Sequence, residues 1–436
     1  MPESEQSSLV RAIGRWSLAA LVVNSVIGSG IFGLPSDVAR LIGGASAWAV
    51  LLAGVAAGVI MACFAEVASQ FSQAGGPYLY VRAAFGRLLG IEMGWMLWLV
   101  RLAAPAATAN LFVIYCGEFW PQAKEPLPRF LILTFLYGLL TLINYRGVRG
   151  STRVSNVFTV AKLVPLFLVA IAGAFYMAAG HRASPILPAA AGVSAWLKAG
   201  LLLVFAYGGF ETALTPLGEA KNPQRDVAFA LFTSLITCTV LYTAIQWVVI
   251  GILPDSAHSE RPLADVARLA LGPGGAAFVS VGALVSVYGY LSANLLGVPR
   301  ITFALAENGD FPSIFAAIHP RFRTPYVSIL AFAVLSWLLA LFGSFTWNAT
   351  LSAVARLLYY GLVCAALPTF RRKQPGAAMF RLPAGTFFAV LGAGICMVLV
   401  AGVNLSGSLI LLATALVALV NWLLVRKKRT GGPAVT

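Results

Sequence analysis

Two interruptions in otherwise apolar sequence place polar backbone where it could do chemistry. The first lies in Leu21-Val22-Val23-Asn24-Ser25-Val26-Ile27-Gly28-Ser29-Gly30-Ile31-Phe32-Gly33-Leu34-Pro35. Glycine costs about 1 kcal/mol in a helix interior, yet Gly28 and Gly30 flank a serine near the middle of this run. A break there frees backbone N–H groups, which need a partner in hydrocarbon. A half-helix beginning near Ile31 would point the positive end of its dipole at an anion such as a carboxylate. The same glycines would also suit a close helix–helix contact, and this run alone does not choose.

The second interruption chooses the break. Leu203-Val204-Phe205-Ala206-Tyr207-Gly208-Gly209-Phe210-Glu211-Thr212 carries a double glycine in mid-run, then an acid at the start of the next half-helix. A carboxylate there complements the N-terminal dipole and offsets part of the cost of an acid at that depth. Upstream, the free carbonyls of Phe205 to Gly208 suit an ammonium. Donors at one break and acceptors at the other match a zwitterion. Ser25, one turn before Gly28, faces the same region.

Three cations also fall inside apolar runs: Arg101, Lys162 and Arg356. Lys162 is about 11 residues into its helix, roughly 16 Å along the axis, so it should face protein or a water-filled cavity. Arginine stays charged, so Arg101 and Arg356 suit binding to carbonyls, an acid or a vestibule better than proton relay. Glu66 near a helix end reads as a gate partner for a loop arginine or as a solvated end. Asn110 and Ala106 are further pocket candidates. Nothing resembles a catalytic or metal-binding constellation. Cys63, Cys116, Cys238, Cys364 and Cys396 sit in apolar runs without CxxC spacing, as small buried hydrophobes do, and His181, His258 and His319 fall in polar stretches.

These residues need elements to hold them, and composition says which. Apolar residues are 59% of the 436 and charged residues 10%, against about 45–50% and 25% in soluble domains. So few charges cannot cover a soluble surface. This excludes an ordinary cytosolic enzyme, a disordered chain and a disulfide scaffold, and it leaves an all-α integral membrane protein. About twelve apolar runs qualify as transmembrane helices: 16–40, 45–70, 89–118, 129–144, 154–178, 195–216, 227–252, 274–299, 326–343, 349–369, 383–403 and 405–425. Met1–Ser8 is polar and reads as no cleavable leader.

The net charge of +15 follows from orientation. With the N-terminus cytoplasmic, twenty of the thirty Lys and Arg residues fall in connections on that side, seven on the other and three within spans. This positive-inside bias puts both termini in the cytoplasm and needs no nucleic acid. Arg426–Arg429 reads as a stop-transfer cluster beside lipid headgroups. The breaks fall in runs one and six. Interrupted helices at matching places in two five-helix halves point to an inverted-repeat transporter with a midplane site.

Five segments, in order, carry a resemblance. Gly28-Ser29-Gly30-Ile31-Phe32 resembles a motif of the amino acid–polyamine–organocation (APC) superfamily permeases. So do Ala65-Glu66 with Gly75-Gly76-Pro77-Tyr78-Leu79-Tyr80, and Phe205–Glu211 with Gly218-Glu219-Ala220-Lys221-Asn222-Pro223. Asn294–Arg300 with Ala304–Pro312 and Ala355–Pro368 complete the set. The resemblance implies a LeuT-like fold, with a 5+5 inverted repeat (about 16–178 and 195–370), two peripheral helices over 371–425, and tails at 1–15 and 426–436. It implies a substrate carboxylate on Ser29, Gly30 and Ile31, and an amino group on Phe205, Ala206 and Gly208, with Tyr207 beside them. Phe205 matches a gating aromatic and Asn294 a pocket position. Lys162 falls where some sodium-independent members carry a lysine in place of sodium. Its ammonium would hold the first and eighth helices or exchange a proton.

The expected function is sodium-independent amino acid transport across the cytoplasmic membrane by alternating access, as proton symporter or exchanger. The expected partners are an amino acid, protons and lipid, with no cofactor and no obligatory protein. No acid is evident in the pocket to pair with a second cation, so a neutral substrate is favoured over a cationic amino acid or polyamine. A channel would need polar stripes along several helices, which are lacking. A transporter-like sensor would have only short tails to signal with.

Overall fold

The computed structural model describes residues 13–71, 75–147, 152–183, 191–214, 220–403 and 405–425, with 152–161 and 213 as backbone only. Residues 1–12 of the N-terminal tail, the C-terminal tail with its Arg426–Arg429 cluster, and Gly218 and Glu219 lie outside the described residues. The described chain is helical, its one bridge joining Ile13 to Ala220. The first half holds α1 (Arg15–Val26), α2 (Ser29–Ile42), α3 (Ser46–Ala68), α4 (Gly76–Phe85), α5 (Arg87–Cys116), α6 (Pro126–Arg146) and α7 (Thr152–Ala178). The second holds α8 (Val193–Tyr207), α9 (Phe210–Ala213), α10 (Pro223–Ile252), α11 (Pro262–Leu271), α12 (Pro273–Glu307), α13 (Tyr326–Phe342) and α14 (Phe345–Lys373). Then come α15 (Gly385–Val400) and α16 (Leu405–Val425).

Local chemistry sets many boundaries. Proline occupies the first turn of α4, α6, α10, α11 and α12, where its missing N–H removes no helical bond. Basic residues fill the last turns of α2, α4, α6, α11 and α14, complementing the carbonyl end of the dipole. Helices occur at every expected run. Among the described residues, eight helical segments are long and apolar enough to cross a membrane, with shorter apolar helices at Lys162–Ala178, Tyr326–Phe342 and Gly385–Val400. Large exposed side chains such as Phe135, Phe175, Phe342 and Val390 stud the outer surface, which suits hydrocarbon rather than water.

Two elements were not foreseen. The short helices α4 and α11 lie in stretches treated as connections. Each is 10 residues long, below the length that a search for membrane spans detects. Helix α12 also runs well past the expected end at 299, to Glu307. Pro299 lies inside it, and prolines within membrane helices are tolerated where neighbours satisfy the freed backbone.

In the core, α5 packs against α12 and α14, α3 against α10, α1 against α10 and α9, and α2 against α8. Helix α15 lies on α3 and α14, and α16 on α5. The two interrupted helices therefore cross each other inside a shell of uninterrupted ones.

Candidate functional site

The chain leaves helical geometry at Ile27 and Gly28, and α2 restarts at Ser29, two residues before the expected point. The first N–H groups of α2 have no intrahelical partner, and Gly28 supplies no side-chain cap. The carbonyl end of α1 is satisfied instead by side chains. Lys162 Nζ donates to Asn24 O at 2.9 Å and Ile27 O at 3.0 Å, and Tyr242 Oη donates to Val26 O at 3.1 Å. Both Lys162 bonds go to the first helix; among the described residues its ammonium makes none to α12. Ser29 Oγ shares a 2.8 Å hydrogen bond with Thr108 Oγ1, which also donates to Ala104 O.

Gly30 is where α2 crosses α8. A Cβ there would lie 2.9 Å from Ala206 Cα, and backbone cannot move aside as a side chain can. Gly30→Val should therefore cost about 1–3 kcal/mol through overpacking. A melting curve of the purified protein in detergent should show this as a lowered Tm, with Gly14→Ala, in open space, as the neutral control.

The second break spans Gly208 and Gly209, between α8 and α9. Gly209 has φ +111° and abuts Ser25 O, so this position combines left-handed backbone with no room for a side chain. Glu211 closes the break. Its carboxylate accepts from Gly209 N–H at 2.9 Å, Arg356 Nε at 3.1 Å, Tyr359 Oη at 2.7 Å and Tyr360 Oη at 2.8 Å. The acid thus caps its own half-helix and ties it to α14. A Cβ on Gly208 would overlap the Arg356 guanidinium.

Between the breaks lies a cavity of about 480 Å³. Ser25, Gly28, Ser29, Gly30, Phe205, Gly208, Asn294 and Lys162 line it. Ile31, Ala206, Tyr207 and Glu211 do not. Ala206 lies behind Gly30, and Tyr207 turns away to donate to Val50 O at 3.0 Å. Asn294 Nδ2 donates to Tyr290 O at 2.9 Å. Asn110 and Ala106 lie off the cavity, with Asn110 Oδ1 accepting from Arg129 at 2.9 Å. Sequence reasoning did not assign Asn24, Asn144, Thr212 or Tyr290 to the lining. Their signal, a polar group in an apolar run, is shared with many buried residues that only bond their own helix.

The cavity is one-sided. Its walls are the Val100–Ala104 stretch of α5, the last turn of α6 at Ile143 and Asn144, and α12 from Ser286 to Ile301. Toward the other end the packing is closed. Phe205 meets Phe345 edge-on at 6.3 Å, and Tyr115 Oη donates to Phe32 O at 2.9 Å. Away from the cavity, Glu66 is buried rather than solvated. It holds Arg371, in the last turn of α14, through two 2.7 Å bonds and accepts from Leu382 N–H at 2.8 Å.

The sequence matches the profile of the amino acid permease family over residues 13–423. It is similar to a methylthioribose transporter of Bacillus subtilis (strain 168), 29% identical over 415 residues, which cover 91% of this chain and 89% of the relative. A branched-chain amino acid permease of the same organism, BcaP, is 27% identical over 446 residues, covering 98% and 95%. Cationic amino acid transporter 9, chloroplastic, of Arabidopsis thaliana is 32% identical over 337 residues, covering 72% of this chain and 58% of the relative. With paired interrupted helices around a central cavity and a profile match along almost its whole length, the chain belongs to the amino acid permease family.

Proposed function

We propose that the protein is a sodium-independent secondary transporter that carries an α-amino acid across the cytoplasmic membrane by alternating access. One observation carries this reading: the cavity brings the N–H end of α2 and the carbonyl end of α8 to one place. A carboxylate takes the first and an ammonium the second. The relatives' names cover a methylthioribose transporter, a branched-chain amino acid permease and cationic amino acid transporters, so membership alone does not select the substrate. The chemistry of the cavity narrows it. Lys162, Arg101 and Arg356 line it, and Glu211 already serves four donors. A cationic side chain would find no free carboxylate among the described residues of this lining, which leaves amino acids without one.

The proposed architecture is twelve transmembrane helices, with two inverted five-helix repeats at 16–178 and 195–370, α15 and α16 outside them, and both termini in the cytoplasm. The packing supports the repeat, because it maps onto itself when the halves are exchanged. The α1–α10 contact answers α8–α3, α2–α8 answers α9–α1, and α5–α14 answers α12–α7. The unforeseen helices obey the same exchange: α4 packs on α5 and α14, and α11 on α12 and α7. Each ends at a glycine of positive φ, Gly86 at 90° and Gly272 at 77°. In this orientation the cavity faces the cytoplasm, Phe205 stands on the closed outer side as a gate, and the structure represents an inward-facing state.

Lys162 supports sodium independence, because its ammonium occupies carbonyls that a bound cation would otherwise use. Energy then comes from protons or from exchange. Uptake into proteoliposomes tests this. Labelled amino acids entering only preloaded vesicles would mean exchange, and accumulation in empty vesicles under an inward proton gradient would mean symport. A requirement for sodium would overturn the reading of Lys162.

A further inference from the structure

Arg101 is the 15th of the 30 residues of α5, about 21 Å along the axis from its start. An arginine at such depth is costly and needs something to do. Three other charged groups at the breaks are engaged. Lys162 is held by two α1 carbonyls, and Arg356 and Glu211 are held by each other. Arg101 lines the same cavity, but among the described residues its guanidinium has no hydrogen-bond, ion-pair or ring partner.

Its position ties it to the substrate rather than to a remote vestibule. Arg101, Ala104 and Thr108 recur at helical spacing on one face of α5. Thr108 bonds Ser29 at the α2 break, and Ala104 lines the cavity between them. Arg101 therefore stands on the face that looks at the break, up to two turns from it. A substrate whose α-carboxylate occupies the N–H groups of α2 extends its side chain into the space that Arg101 borders.

We propose that Arg101 forms a side-chain subsite for a second anionic group, so that the preferred substrates are acidic α-amino acids of the aspartate and glutamate class. This rests on the transporter reading above. Glu211 lies within electrostatic reach of Arg101 but is directly bonded to Arg356, so a neutral zwitterion would leave the guanidinium without a hydrogen-bonded anion when the site closes and sheds water. A side-chain carboxylate engages it by a charge-assisted, bidentate pair. The absence of a free acid, which made a neutral substrate the expectation, is equally the condition for an acidic one, and Arg101 decides between them.

The test is exchange in proteoliposomes with labelled L-glutamate, L-aspartate and L-leucine, using wild type, Arg101→Ala and Arg101→Lys. Wild type should take up an acidic amino acid in preference to leucine. Arg101→Ala should lower the acidic-to-neutral uptake ratio at least tenfold, and Arg101→Lys, which keeps the charge without the fork, should fall between. Thermal stabilisation of wild type by L-glutamate but not L-leucine gives a readout independent of the variants' folding. Leucine uptake with no acidic uptake or glutamate stabilisation would overturn the subsite while leaving the transporter reading intact, as would a ratio unchanged in Arg101→Ala. No uptake of any amino acid by wild type would overturn both.

Discussion

Replacing Lys162 with alanine is expected to lower uptake at least tenfold, and to flatten its dependence on pH if the lysine exchanges a proton in the cycle. The ammonium is the shared donor for Asn24 O and Ile27 O. These carbonyls belong to the end of α1, which has no further helix to bond them because the chain turns out at Gly28. Each buried carbonyl left without a donor costs about 1–3 kcal/mol. The half-helix α1 therefore loses the tie that sets its position against α7. Lys162→Arg separates the two roles proposed for this residue. Arginine restores a cationic donor but does not release its proton. If Lys162 exchanges a proton during the cycle, Lys162→Arg will transport weakly and without pH dependence. If it only braces α1, Lys162→Arg will recover rate with the wild-type pH profile. Uptake in proteoliposomes across a range of pH, with matched amounts of protein, reads both outcomes.

Glu211→Gln should strongly destabilise the protein. Glu211 and Arg356 are 1% and 5% exposed, so both are largely removed from water. Removing one member of a buried pair leaves an uncompensated charge and costs about 3–5 kcal/mol. Here it also weakens the acceptor for two tyrosine hydroxyls and for the Gly209 N–H that starts α9. The double variant Glu211→Gln/Arg356→Gln removes the stranded charge and should melt higher than Glu211→Gln alone. Melting of both single variants and the double, closed as a cycle, measures the coupling. Additive losses would show that the acid and the arginine act independently, against the geometry.

The cavity also bears on how relatives of one family carry differently named cargoes. The backbone of two broken helices supplies the contacts for the α-carboxylate and α-amino group in the proposed reading, and backbone is insensitive to side-chain substitution. In that reading selectivity would fall to side chains that line the cavity, among them Arg101, Tyr290 and Asn294.

Class and breaks were legible in the sequence because they are local properties. Hydrocarbon imposes helices on every long apolar run, and a helix cannot pass a Gly-Ser-Gly or Gly-Gly-Phe-Glu stretch at depth without a partner for its freed backbone. The departure at Gly208–Gly209, with Glu211 behind it, was readable from that, whereas the Gly28 run suited a close helix contact equally and was chosen only by its pairing with the second break. What the residues contact was decided by the fold. Glu211 and Arg356 are separated by 145 positions, and no spacing rule joins them. Lys162 could be placed at depth from the sequence, but not on the carbonyls of Asn24 and Ile27 rather than on the eighth helix. Tyr207, adjacent to the second break, turns to α3 because successive helical residues point about 100° apart. Arg101 looked like one intramembrane arginine among two. Only packing determines that Arg356 meets an acid while Arg101 faces the cavity, because a side chain's partner depends on the helices that arrive beside it.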